Sequence, residues 1–117
     1  EAFKAESEAN RLYDWDSIYE SYKKYYHCDD GAIWEGYSDT VGRLLADDWI
    51  HFKRLHELCL SDGKFKQFVL KHIDMTVPVD VLQRIINNTR THCPSEYKEL
   101  CKAIETEASA GWNPNTK

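Results

Sequence analysis

Two groups of side chains in this sequence could do chemistry: four cysteines, and a run of carboxylates interleaved with aromatic rings. The run is residues 28–39, CDDGAIWEGYSD, in which Asp29, Asp30, Glu35 and Asp39 stand beside Trp34 and Tyr37. Glu35 and Asp39 are four residues apart, so a helix places them on one face, a turn apart. Paired carboxylates do general acid–base work when burial drives their pKa values apart. Left in water, the same pair is a solvated acidic face that steers a basic protein in, with Trp34 and Tyr37 as anchoring rings. Asp29-Asp30-Gly31 also has a purely local reading, a turn at Gly31 with an aspartate capping the next helix.

Cys28, Cys59, Cys93 and Cys101 make an even count in a short chain, the pattern of an exported protein with two bridges. Of the three pairings, Cys28–Cys59 with Cys93–Cys101 is expected. The first closes a segment that returns as a helical hairpin, and the second closes a proline turn and the start of a helix. On chain-entropy grounds, loops of about 32 and about 9 residues add roughly 3.7 and 2.6 kcal/mol. Reduced, the four thiols would be small buried apolar side chains. Zinc is the competing chemistry. His56 and Cys59 are three apart, and the adjacent pairs His27-Cys28 and His92-Cys93 could together supply four ligands. No Cys-x-x-Cys or His-Glu-x-x-His occurs, and neighbours on a helix point apart by about 100°. No metal or cofactor is therefore assigned. Ser17, Ser21 and Ser38 lack a nucleophile elbow, and no catalytic residue is assigned either.

Helices must position these groups. From Ala32 to Leu60, the residues Ile33, Tyr37, Val41, Leu44, Leu45, Trp49, Phe52, Leu55 and Cys59 advance by three or four, with a break expected at Asp47-Asp48. Before this lies a helix at 17–26, capped by Asp14 or Asp16. After it, Asp62 caps a helix bearing Phe65, Phe68, Val69 and Ile73. Pro78 restarts the chain in the first turn of a helix through Val81, Leu82, Ile85 and Ile86. Ser95, after Cys93-Pro94, caps a last helix through Tyr97, Leu100, Cys101 and Ile104. Gly36 and Gly42 suggest close helix packing, and Trp15 and Trp49 read as core. The expected fold is all-α, a single-domain bundle of five to six helices over 17–108. Residues 1–16 read as frayed and 109–117 as a loose tail. Helix content above about 60% is expected.

The 117 residues are 42% apolar with a net charge of −5, and the 15 Lys and Arg are scattered, so no basic stripe points to nucleic acid. No apolar run approaches the length of a membrane span. The chain opens on Glu1 and its only methionine is Met75, which fits removal of a signal peptide and a trimmed N-terminus alike. With the cysteine count, this predicts a periplasmic or secreted protein.

The pieces CDDG, EGYSD, FVLKHID and CP followed by LC resemble a family of small exported bacterial proteins of little-assigned function. More loosely, they resemble the helical, disulfide-bearing immunity proteins that protect bacteria from periplasmic toxins. The likeness spans most of residues 17–105 in element order and cysteine placement. It implies a non-enzymatic protein-binding module whose partner is a secreted toxin enzyme, and it carries over no functional residue. From the residues themselves, Asp30, Trp34, Glu35, Tyr37 and Asp39 are expected to border the partner. The alternative is a small exported enzyme or metal-binding protein using the same acidic segment. The oligomeric state stays open, a homodimer included.

Overall fold

The computed structural model describes residues 14–25, 31–74 and 76–111, apart from the side chains of 31–33. These residues form six α-helices and no strand: α1 Trp15–Tyr25, α2 Gly31–Asp47, α3 Phe52–Ser61, α4 Gly63–Lys71, α5 Val79–Thr91 and α6 Lys98–Gly111. Two short 3-10 turns, Trp49–His51 and Ser95–Tyr97, precede α3 and α6. The fold is all-α, as the periodicity predicts.

Each boundary has a local cause. Asp14 opens α1 by accepting the Ser17 backbone N–H on Oδ1 at 2.7 Å, while the Ser17 hydroxyl accepts the Asp14 N–H at 3.1 Å. The long apolar stripe breaks at Asp47-Asp48, but not through an aspartate cap. Asp48 makes no capping bond, and its carboxylate meets His51 Nδ1 at 2.9 Å. The carbonyls left open at the end of α2 are taken by Asn88 of α5, whose Nδ2 donates to Leu45 O at 2.9 Å and Ala46 O at 3.0 Å. Asp62 does cap α4, accepting from Lys64 N and Phe65 N at 3.1 Å each, and it also receives the Tyr19 hydroxyl at 3.0 Å. Pro78 stands immediately before α5, and its carbonyl accepts from Leu82 N at 3.0 Å. Ser95 does not cap the last helix. It lies inside the 3-10 turn, with Pro94 before it and no side-chain cap bond.

The inward stripes meet in one core. Trp15, Ile18, Tyr37, Leu44, Leu45, Leu55, Phe65, Ile73, Leu82, Ile85 and Ile104 are sealed from solvent. Each large apolar side chain so buried contributes about 1.5–3 kcal/mol. α5 packs between α2 and α6, while α3 packs on α1 and α4. Gly42 lets α2 approach the start of α5, since a Cβ there would lie 3.1 Å from Val77 Cγ1 and 3.4 Å from Val81 Cγ1. Trp49, expected in the core, is only half-buried and stacks on Phe52 at 4.2 Å. α1 starts at Trp15 and α6 runs to Gly111, so helix reaches into both ends that read as loose. The remainder of those ends, 1–13 and 112–117, lies outside the described residues.

Among the described residues there is one disulfide, Cys93–Cys101, with Cα atoms 6.4 Å apart. The expected second bridge is not found. Cys59 is a free thiol on the inward face of α3. Burial pushes its pKa up to about 12. Cys28 lies outside the described residues.

Candidate protein-binding face

α2 has two unlike faces, and the inward one is pinned by polar bonds as well as by packing. Tyr37 is fully buried and shares a hydrogen bond of 2.7 Å with Ser21 Oγ of α1. Ser38 Oγ lies 2.8 Å from His72 Nδ1 just beyond α4, and both side chains are buried. The His72 ring sits 4.1 Å from Trp34, 4.7 Å from Phe68 and 5.5 Å from Tyr37, centroid to centroid. Trp34 in turn donates its indole N–H to Asp74 Oδ2 at 2.7 Å. The other Asp74 oxygen accepts from Thr76 N at 3.0 Å and Thr76 Oγ1 at 2.6 Å.

A serine against a histidine is the geometry of an activated nucleophile. Here Ser38 is 1% exposed and His72 0%, so no substrate reaches the hydroxyl. The pair holds α2 to the end of α4; deleting one partner of such a buried bond costs about 1–3 kcal/mol.

The outward face is bare. Glu35 and Asp39 are exposed, one turn apart as their spacing predicts, and among the described residues neither has a hydrogen bond or an ion pair. Other carboxylates of the bundle are engaged. Asp47 and Asp80 hold Arg84 at 3.0 and 3.2 Å, Asp16 and Glu57 hold Arg54 at 2.7 and 3.1 Å, and Glu105 holds Arg90 at 2.6 Å. Beside Asp39 runs a groove of about 210 Å³ between α2 and the start of α5, lined by Asp39, Arg43, Asp47, Val77, Pro78 and Val81. Val79, next to Pro78 in sequence, is 55% exposed.

The expected contact residues therefore divide. Glu35 and Asp39 face solvent, without the burial that acid–base work requires. Trp34 is half-buried and committed to Asp74 and His72. Tyr37 cannot anchor a partner, because it belongs to the same inward stripe as Val41 and Leu44. Asp30 lies outside the described residues. Among the described residues no three His, Cys, Asp or Glu side chains converge on a metal position. His56 packs its ring on Tyr97 at 4.1 Å, and Cys93 is bridged. His72 escaped the sequence reading, although Phe65, Phe68, Val69 and His72 follow the i, i+3, i+4, i+7 spacing of a buried face. The groove joins separate stretches of chain, and the run Val77-Pro78-Val79 is its one sequence signal.

No family model, curated protein or solved structure matches the chain. No described helix is long and apolar enough to cross a membrane.

Proposed function

We propose that this chain is an exported, non-enzymatic protein-binding domain that neutralises a secreted bacterial toxin enzyme, and that the outward face of α2 is its contact surface. The observation that carries the reading is the pair Glu35 and Asp39, exposed and without an ion pair among the described residues, with Asp39 on the wall of a groove that has apolar residues in its lining. Exposed carboxylates accelerate encounter with a basic partner, and an adjacent apolar groove supplies the area that is desolvated on docking. The disulfide is compatible with an oxidising compartment. The sealing of Ser38 and His72 weighs against the enzymatic alternative.

The test is an inhibition titration. The full, oxidised chain is added to a secreted hydrolase encoded beside its gene, and both hydrolysis and complex formation are followed. Loss of hydrolysis at a 1:1 ratio is expected, with association that slows as salt is raised. A neighbouring hydrolase that stays fully active in tenfold excess of this chain, with no complex formed, overturns the reading.

A further inference from the structure

We infer that the groove between α2 and α5 takes an extended partner segment carrying two basic side chains two residues apart, with an apolar residue between them. The inference rests on the protein-binding reading and specifies the chemistry of the partner.

The cation sites follow from which carboxylates are spent. Along the groove, Asp47 and the neighbouring Asp80 share the one cation of Arg84, and Arg43 is not free. Among the described residues, Asp39 on the groove wall and Glu35 one turn away have no cation paired with them. Four residues of α-helix rise about 6 Å. In an extended strand, side chains at i and i+2 point the same way about 6.6 Å apart. Two arginines or lysines at i and i+2 thus meet Glu35 and Asp39 in register.

The floor fits the same occupant. Exposed Pro78 and half-buried Val81 offer apolar surface along which the methylene stem of Lys or Arg can lie while its head reaches the carboxylate, with buried Val77 beneath them. Val79, next to Pro78 in sequence, is an exposed apolar side chain on which an apolar neighbour of the basic residues can rest. The floor is held in place because Gly42 lets Val77 pack directly on α2. Asp74, the other end of the 74–78 turn, is tied to Trp34 and Thr76. An acidic segment would meet two uncompensated carboxylates here, with no free cation in return.

The probe is the blocked peptide acetyl-Ser-Arg-Val-Arg-Ser-amide, titrated into the full isotope-labelled chain and followed by amide chemical shifts. The control is the same peptide with glutamate in place of arginine. Shifts confined to 35–43 and 77–81 are expected with the arginine peptide, and none with the glutamate peptide. Asp39→Asn should weaken binding about threefold or more, whereas Glu99→Gln, an exposed carboxylate at the start of α6, should leave it unchanged. Equal shifts from both peptides, or shifts over every acidic surface that ignore Asp39→Asn, overturn the inference. The peptide result is independent of the hydrolase. Peptide binding without inhibition removes the toxin reading and keeps the site, while inhibition without peptide binding removes the site chemistry alone.

Discussion

Two turns are tied back to the bundle by different means. Between α5 and α6, the turn at 92–97 carries Ser95 and Glu96 in solvent and Cys93 half-buried, with a single 3-10 turn for regular structure. It is held by Cys93–Cys101, by the Trp49 indole donating to His92 O at 3.0 Å, and by Tyr97 resting on His56. Between α4 and α5, the 72–78 turn has no covalent tie. It relies on sealed His72 and Val77, and on Asp74 bonded to Trp34. A turn that buries little gains from a bond that restricts the unfolded chain. A turn that buries a ring and an aliphatic side chain is held by their desolvation and by hydrogen bonds that would be costly to leave unmade. The second arrangement leaves Pro78 and Val81, at the far side of its turn, accessible along the groove.

The largest expected effect is at the buried corner. His72→Ala removes a sealed ring and leaves Ser38 without its partner, so stability in urea denaturation should fall by about 3–5 kcal/mol. A loss below that caused by reducing the disulfide would reverse the comparison. Reduction of Cys93–Cys101 should cost about 2.6 kcal/mol for a loop of about 9 residues, seen as a lower melting temperature with helicity retained at room temperature.

Cys59 sharpens the same contrast, because its thiol is protected by burial and not by a bond. Native protein should resist alkylation at pH 8 and react at Cys59 once unfolded. Its pKa is about 12 when folded against an ordinary 9.0. The native state therefore keeps a proton that the unfolded state releases, so this stability is complete below about pH 9 and is lost as pH rises toward about 12. Unchanged stability between those limits would contradict the burial of the thiol.

Smaller effects grade the hydrogen bonds. Trp34→Phe keeps most of the ring but loses the bond to Asp74, for about 1 kcal/mol in a denaturant midpoint. Thr76→Val removes an exposed hydroxyl from Asp74 and should cost about 0.5 kcal/mol. If Thr76→Val costs more than Trp34→Phe, the Asp74 turn holds itself, and the indole is not its anchor.

The parts legible in the sequence are those with local causes. Asp62 reveals a helix start because the N–H donors it accepts from lie two and three residues on, and Cys93–Cys101 is legible because eight residues cannot take the pair far apart. The break at Asp47-Asp48 was legible in place but not in mechanism, since the group that closes α2 is Asn88, more than forty residues later. The Cys28–Cys59 pairing failed because periodicity places Cys59 on the inward stripe but cannot say which side chains it meets across the core. Tyr37 shows a conflict visible in advance, as its spacing from Val41 placed it inside while its chemistry suggested a surface anchor; spacing won. Ser38 and His72 meet across 34 residues, and the groove needs α2 and the α5 start together. Neither could be read from one stretch of chain.

The central claim is that binding uses the bare face of α2 and the 77–81 floor, while the disulfide corner is scaffold. Amide hydrogen exchange of the full oxidised chain, free and bound to the neighbouring hydrolase, tests it most directly. Added protection should fall on 35–43 and 77–81 and spare 49–56 and 92–97. Protection centred instead on 49–56 and 92–97, around Ile50 at 83% exposure, with the groove unchanged, would contradict it.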